Sequence, residues 1–449
     1  MTNLSDLNKR YRTSNATATA ADIATSKIAY INGGRVVGGG TDPTPESGEP
    51  SVYRNIQDAD AVAADIAAGT TAYITSGLVV GTQVPSAAVS VELVEVTIAA
   101  GSSLTATVAL TKSQNAAQCA PFYGGHYPST VTDAQSNYSD QNQVDVDIWD
   151  DAGTAKVTVT RRAASSAAAI KMVVYVVEFV VGVRVQKIYT SAASSAQLTW
   201  TETISAIDQA RTFVIYSQRD NEIGGLYAHE SMLQTSWDSD TVIRFTRETG
   251  TGMDMVKATV WIVEDVSSSG KYFTVTRYTH SSNALTSNKT ITAVAAMNKT
   301  MIIADWSVPG SYTQAHYVNM DVQLTSTTNL QFYRETTNVS NSCTIYVVEW
   351  QNVTTVQRGL KTYTPAVSSD TLQTWTQSIT AVDDTASIVK KTTNRYRQWS
   401  NVPSQTWYQI PAMNSIKLDA GGAGITGTYH GNSSATQQPH DVCWEVIQF

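Results

Sequence analysis

The residues that could perform chemistry are few and scattered in this chain. Its six histidines do not cluster, and its three cysteines, Cys119, Cys343 and Cys443, are far apart. An odd number of widely spaced cysteines fits neither a disulfide framework nor a zinc site. No nucleophile elbow, phosphate-binding loop or HExxH sequence is present. We therefore expect no catalytic, cofactor-binding or metal-binding residues, and no enzymatic activity.

One carboxylate-rich segment runs from Asp145 to Asp151. Carboxylates at this density suit a hard cation such as Ca²⁺. Alternation along a strand would instead place Asp145 and Asp147 on one solvent-facing side, where they would not enclose an ion. The sequence leaves cation binding by this segment open.

Aromatic residues interleaved with arginine are the other feature that could form a binding surface. Such mixtures are typical of glycan and protein contacts. The candidate contact residues for a host glycan are Tyr396, Arg397, Trp399, Trp407 and Tyr408. The alternative is that these rings pack within a domain or between subunits.

A repeated unit must position all of these residues, because a block of about 86 residues returns four times. Each copy ends in an apolar strand closed by an acid or an amide, at Glu178, Glu264, Glu349 and Gln448. A β-patterned segment ending in arginine precedes the first three ends, at Arg161, Arg247 and Arg334. Repeats of this length indicate an array of similar modules rather than one catalytic domain.

Composition predicts the fold class. Only 15% of residues are charged, and the abundant Thr, Val and Tyr favour strands over helices. We predict an all-β fold, with an N-terminal hairpin attachment segment followed by four tandem antiparallel β-sandwich repeats. The predicted boundaries are 1–85 for the attachment segment, then 86–180 (copy 1), 181–266 (copy 2), 267–351 (copy 3) and 352–449 (copy 4). We expect these modules to lie in a line.

The recurring arginine and glutamate predict an ion pair within each copy. They are 17 residues apart in copies 1 and 2 and 15 in copy 3, and a hairpin that changes by two residues keeps a cross-strand pair on one face. In copy 4 the matching positions are Tyr429 and Gln448, so both charges are lost together. The proposed pairs are Arg161 with Glu178, Arg247 with Glu264, and Arg334 with Glu349. The alternative is two independent edge charges.

The N-terminal segment contains an internal repeat, since residues 22–38 reappear 43 residues later as 65–81. Each copy predicts a hairpin, with Asn32-Gly33 and Ser76-Gly77 at the turns. Tyr30 and Tyr73 occupy matching strand positions. Isolated hairpins are only marginally stable, so we expect both hairpins, with Tyr30, Asn32, Gly33, Tyr73 and Gly77, to attach the chain to a larger body.

This repeat resembles a short motif of tailed-bacteriophage virion proteins, "DI…G.TAY.NG..V.G", which recurs near the ends of fibre and structural subunits. The resemblance covers only the two N-terminal segments. It implies a virion structural protein that contacts other virion proteins through residues 1–85. It does not indicate a position in the particle.

Charge and hydropathy exclude several classes of function. The net charge of −8 and the lack of a basic run argue against a nucleic-acid surface. The longest apolar stretch, 172–183, is interrupted by Glu178 and is shorter than the ~20 residues that cross a bilayer. The polar start, residues 1–12, does not resemble a secretory signal. We expect assembly in the host cytoplasm and a location on the virion surface.

These observations predict a surface projection or decoration of a tailed-phage virion, as part of the head, the collar or a tail fibre. A homotrimer or another homo-oligomer would bury exposed sheet edges. Two alternatives remain open. One is a glycan-binding receptor protein of the phage tail, and the other is a bacterial extracellular adhesin or filament subunit.

Overall fold

The computed structural model describes most of the region after residue 85 and four short strands before it. The described residues are 28–31, 34–37, 71–74, 77–80, 86–101, 103–128, 144–161, 169–192, 197–220, 233–247, 256–267, 272–307, 320–334, 340–363, 372–396, 414–430 and 440–449.

The predicted all-β fold is confirmed. The chain divides into two compact units, residues 1–83 and residues 84–449. In the first unit, β1 (Ile28–Ile31) pairs antiparallel with β2 (Gly34–Val37), and β3 (Thr71–Ile74) pairs with β4 (Gly77–Val80). The turn residues Asn32 and Gly33 and the side chains of Tyr30 and Tyr73 lie outside the described part of this unit, and of Gly77 only the backbone is described.

In the second unit, an order of six strands recurs in each copy, and we designate these strands A to F. Copy 1 contains β5 (Ala88–Ile98), β6 (Thr105–Ala109), β7 (Cys119–Pro128), β8 (Val144–Asp151), β9 (Thr154–Arg161) and β10 (Ile170–Phe179). Copy 2 contains β11 (Val183–Ser191), β12 (Thr199–Thr203), β13 (Thr212–Asp220), β14 (Gln234–Ser239), β15 (Val242–Thr246) and β16 (Val256–Asp265). Copy 3 contains β17 (Phe273–Ser282), β18 (Thr286–Thr290), β19 (Thr300–Ser307), β20 (Asp321–Ser326), β21 (Asn329–Tyr333) and β22 (Asn341–Trp350). Copy 4 contains β23 (Thr355–Tyr363), β24 (Leu372–Ser378), β25 (Ser387–Tyr396), β26 (Asn414–Leu418), β27 (Gly424–His430) and β28 (His440–Gln448).

Each copy folds into two small antiparallel sheets, with strand order A–F–C in one sheet and B–E–D in the other. Strand F is central and covered on both faces, so it is buried along almost its whole length, as in β10 and β22. Strand E has one solvent face and therefore alternates; Val157 and Val159 are buried, whereas the neighbouring Lys156, Thr158 and Thr160 are partly exposed.

The connection between strands B and C is held by a side chain from strand A. Gln186 donates to Ser205 O and accepts from Ser205 N, and Gln357 makes the same two bonds with Thr380. In copy 1, Glu92 occupies this position and accepts hydrogen bonds from three successive backbone N–H groups, beginning with Thr111 N. Although burial opposes it, these donors lower the pKa of Glu92.

The four copies contact one another in cyclic order. Strand D of each copy packs on strands C and F of the next copy: β8 on β13 and β16, β14 on β19 and β22, and β20 on β25 and β28. Strand β26 of copy 4 then packs on β7 and β10 of copy 1. The expectation that the modules lie in a line is therefore wrong for residues 84–449, because the last copy docks on the first.

The hydrophobic core is shared between copies. One continuous cluster includes buried side chains from copies 1, 2 and 4 and the copy 3 residues Phe273 and Trp350. Phe273 and Trp350 meet at a ring-centroid distance of 5.0 Å, and Phe213 of copy 2 lies 5.3 Å from Phe273. A second cluster around Leu330 and Phe332 belongs to copy 3. Stability is thus distributed over the whole unit.

The predicted ion pairs between the recurring arginine and glutamate are wrong. The Arg161 side chain donates to Ala99 O, Gly101 O and Ser103 O in the A–B connection. Glu178 instead pairs in strand register with Ser90. Ser90 and Ala99 lie at opposite ends of β5, about 30 Å apart at ~3.4 Å per residue.

Each of these two charges has its own structural role. The arginines are buried and bind the A–B connection, as Arg247 does through Gln197 O at 2.9 Å. The glutamates accept a backbone N–H before strand C: Glu178 from Gln114 at 2.8 Å, and Glu264 from Asp208 at 2.7 Å. The similar spacing of arginine and glutamate in the first three copies therefore reflects two recurring loop anchors and not a contact between them.

In copy 4, Tyr429 takes the place of the buried arginine. It lies in β27 and its hydroxyl bonds to Gln373. Its ring packs 4.5 Å from Tyr363, which in turn stacks on Trp375 at 5.8 Å. An aromatic cluster thus fills the volume that a guanidinium group occupies in the other copies.

We predict that Arg161→Met lowers the free energy of unfolding by about 3 kcal/mol, because three carbonyl groups of the A–B connection lose the buried side chain that donates to them. Arg244→Met is the matched control, since Arg244 is an exposed arginine paired with Asp238, and a change within about 0.5 kcal/mol is expected there. Urea unfolding measures both. Equal effects at the two positions would contradict the anchoring role of Arg161.

Candidate functional site: the seams between copies

Four seams, each formed by strand D of one copy and strands C and F of the next, contain most of the buried ionisable groups outside the loop anchors. At the seam between copies 1 and 2, Asp145 of β8 accepts from Ser217 Oγ at 2.6 Å and from Thr259 Oγ1 at 3.0 Å. Arg219 Nε lies 4.0 Å away. Burial raises the pKa of Asp145 to about 6, against the effect of these donors.

The seam between copies 2 and 3 is built around Asp305 of β19. Its Oδ2 accepts from the N–H of Thr235, 3.1 Å away, and from the Thr235 hydroxyl. Thr344 Oγ1 donates to Thr235 O at 2.7 Å, and the Tyr346 hydroxyl lies 2.9 Å from Thr235 Oγ1. Burial raises the pKa of Asp305 to about 7, so this carboxyl group binds a proton at a much higher pH than an exposed aspartate does.

The seam between copies 3 and 4 contains a buried charge cluster. Glu445 of β28 lies 3.1 Å from Lys390 Nζ and 3.4 Å from Arg358 Nε. Glu445 and Lys390 also satisfy the open edge of β19, because Ile302 N donates to Glu445 and Lys390 donates to Ile302 O at 2.6 Å. The cluster therefore replaces the strand that would otherwise pair with this edge.

The seam between copies 4 and 1 is closed by the backbone itself. Ser415 of β26 pairs with Gly125 of β7, which joins the sheets of the two copies into one six-stranded sheet. A Cβ atom at Gly124 would collide with Ile416 O, and one at Gly125 would collide with Asn414 O. These two glycines are what allow the strands to approach so closely.

Two side-chain contacts reinforce this last seam. The buried Tyr175 hydroxyl accepts from Leu418 N at 2.8 Å. Lys417 Nζ lies 3.0 Å from Glu95 Oε1 at the surface. No chain connection enforces the seam between copies 4 and 1, so its geometry depends entirely on these contacts.

The carboxylates of the Asp145–Asp151 segment are distributed among separate partners. Asp147 binds Lys187 Nζ at 2.7 Å and the Tyr189 hydroxyl at 2.8 Å, while Asp150 accepts from Gly153 N and Asp151 pairs with Lys156. Within the described residues, no three His, Cys, Asp or Glu side chains are placed to hold a metal ion. In this part of the chain, no helix is long and apolar enough to cross a membrane.

The aromatic contact candidates fall almost entirely outside the described residues. Arg397, Trp399, Trp407 and Tyr408 all lie there, and only the backbone of Tyr396, at the end of β25, is described. Their role in binding a glycan stays a prediction.

Sequence reasoning considered Asp145 only for cation binding and missed the other residues that form the seams. Lys390 and Lys391 follow the apolar pair Ile388-Val389, and Gly124-Gly125 follows Phe122-Tyr123; both departures from strand composition were available as signals. Asp305 gave a weaker signal of a buried seam, because a single acidic residue in a strand usually indicates a solvent-exposed face.

No protein family matches the chain, and no curated protein is significantly similar to it.

We predict that Gly125→Ala destabilises the protein by about 2 kcal/mol more than Gly153→Ala, because only the former forces strands apart. Gly125 has a φ angle of +103° and Gly153 one of +88°, so both variants carry similar backbone strain. Gly153 has open space at the Cβ position. Urea unfolding compares the two, and equal losses would show that β26 does not approach β7 this closely.

We predict that Asp305→Asn is more stable than the native protein above about pH 7 and similar to it near pH 4. The pKa of Asp305 is raised on folding, so the neutral carboxyl contributes stability that is fully present below its ordinary pKa of 3.8 and is lost as the pH rises through about 7. Asparagine keeps the acceptor for Thr235 without the charge. Unfolding midpoints measured across this pH range give the comparison.

Asp383→Asn is a control for which the opposite dependence of stability on pH is expected. Hydrogen bonds from the Thr385 hydroxyl and N–H lower the pKa of the exposed Asp383, so its contribution is lost as the pH falls. A native-like pH profile for Asp305→Asn would contradict the buried, partly neutral carboxyl.

Proposed function

We propose that this chain is a structural protein of a tailed-phage virion. Residues 84–449 would form a surface decoration or projection on the head, collar or tail, and the segment 1–83 would attach it to other virion proteins. The protein would assemble in the host cytoplasm and remain on the virion surface.

The observation that carries this proposal is the cyclic docking of four β units within one chain. Asp145, Asp305 and Glu445 each bridge adjacent copies, so these groups serve cohesion between modules. A unit whose buried charges hold its modules together suits a mechanical role. The similarity of residues 22–38 and 65–81 to a phage virion motif supplies the connection to a particle.

Cyclic closure also changes the proposed form of the projection. Strand D of every copy is already covered by a neighbouring copy of the same chain. We had expected partner subunits to cover such strands. Strands A and B remain at the ends of their sheets. Lateral association into a homotrimer or another homo-oligomer would use these edges. A host glycan remains a proposed additional partner, through Tyr396, Trp399 and the neighbouring candidates.

We predict that replacing Tyr30 and Tyr73 together by alanine prevents incorporation into particles without unfolding residues 84–449, because the attachment contacts would come from the two hairpins. Purified particles probed with an antibody against residues 84–449 measure incorporation, and circular dichroism measures folding. Thr201→Ala, in the exposed part of β12, is the control and should incorporate normally. Normal incorporation of the double variant would refute attachment through these tyrosines.

A further inference from the structure

Lys391 occupies an unusual position in β25. Its side chain is half-buried and its Nζ atom lies against Gly125 of copy 1, where a Cβ atom would collide with it. Nζ donates to Asn414 O at 2.6 Å and to Asn414 Oδ1 at 3.3 Å. Both acceptors are uncharged, and among the described residues no carboxylate contributes to the lowered pKa of this lysine.

The environment keeps much of this amine neutral. Burial lowers the pKa of Lys391 to about 7, whereas lysine titrates ordinarily near 10.5. A neutral lysine amine is a nucleophile, and a protonated one is not. Glu445 of β28 and Asp321 of β20 are acids on strands packed against β25, but each has another partner. Glu445 binds Lys390 and Arg358, and Asp321 interacts with Cys443. Burial alone accounts for the lowered pKa of Lys391.

Asn414 presents its carboxamide between an amine and a hydroxyl. Its Oδ1 faces Lys391, and its Nδ2 donates to the Tyr363 hydroxyl at 3.4 Å. Burial raises the pKa of Tyr363, so this hydroxyl keeps its proton. The three groups lie in the order of an acyl transfer: a nucleophile, a carbonyl and a proton donor beside the leaving nitrogen.

Copy 2 has an equivalent of the hydrogen bond to the Asn414 backbone carbonyl, but it has no equivalent of the Asn414 carboxamide. By strand register, Lys391 and Asn414 correspond to Tyr216 and Leu233 in copy 2, where the Tyr216 hydroxyl also donates to Leu233 O. The shared contact therefore positions the side chain of strand C. A primary amine opposite a carboxamide occurs at this position in copy 4, whereas copies 1 and 3 have Tyr123 with Val144 and Ala304 with Met320.

We propose that Lys391 and Asn414 form an intramolecular isopeptide bond. Lys391 Nζ attacks Asn414 Cγ, and the Nζ–Cγ bond forms as the Cγ–Nδ2 bond breaks. Tyr363 protonates the departing Nδ2, and the proton released by Nζ restores the hydroxyl. The products are a secondary amide and ammonia, so no oxidant or cofactor is required.

The bond would join the two sheets of copy 4, because β25 belongs to the A–F–C sheet and β26 to the B–E–D sheet. It would close a covalent loop from residue 391 to residue 414 and fix β26, the strand that docks on copy 1. A cross-link of this kind restricts the unfolded chain. The contact between Lys391 and Asn414 lies within copy 4, and the bond does not require the proposed virion role.

The test is the intact mass of the purified full-length chain. The bond removes one ammonia, so the mass should lie about 17 Da below that of the sequence. Digestion should yield a branched peptide that contains both residues 391 and 414. Tyr363→Phe should slow the appearance of the mass deficit after folding.

Two lysine variants separate this bond from other losses of ammonia. Lys391→Met should restore the full sequence mass, whereas Lys361→Met, a lysine of β23, should keep the deficit. Cyclisation at Asn32-Gly33 would give the same deficit, but it would persist in Lys391→Met. A native protein of full mass, with residues 391 and 414 in separate linear peptides, would overturn the proposal even if Lys391→Met fails to fold.

Discussion

Docking of strand D onto strands C and F of the next copy is the contact on which the second unit depends. Each copy has two three-stranded sheets, and strand C has one open edge within its own sheet. A buried strand edge must find hydrogen-bond partners. The neighbouring copy supplies them in different ways: Glu445 and Lys390 bond to Ile302, whereas β26 pairs with β7 through its backbone.

The seams use ionisable groups where an apolar interior would be simpler. Buried charges gain little net stability, because desolvation offsets their attraction, but they penalise any arrangement that leaves them unpaired. Asp145, Asp305 and Glu445 have different partners at successive seams. Four similar modules could dock in the wrong order, and differing polar partners would favour the correct one. The seam between copies 4 and 1 tolerates substitution least, because there is no space for a side chain at Gly124 or Gly125.

A cyclic unit suits the proposed role in a virion better than a string of modules does. Modules in a line can bend at each connection, whereas modules that all contact two neighbours share their load. The shared core around Phe213, Phe273 and Trp350 supports the same conclusion. The proposed bond between Lys391 and Asn414 would strengthen the one seam that no chain connection enforces.

The sequence by itself determined the secondary structure and its repetition. Local alternation decides which face of a strand is buried, so the all-β class followed from composition and pattern, as did the strand-terminal positions of Glu178 and Arg161. Their partners could not be read from spacing. The tertiary structure decided that these residues anchor separate loops and that β26 returns to β7. It also placed Asp305 in the seam between copies 2 and 3, and Lys391 against Gly125 of copy 1. Contacts between residues hundreds of positions apart depend on how whole sheets pack, and a local pattern does not encode that packing.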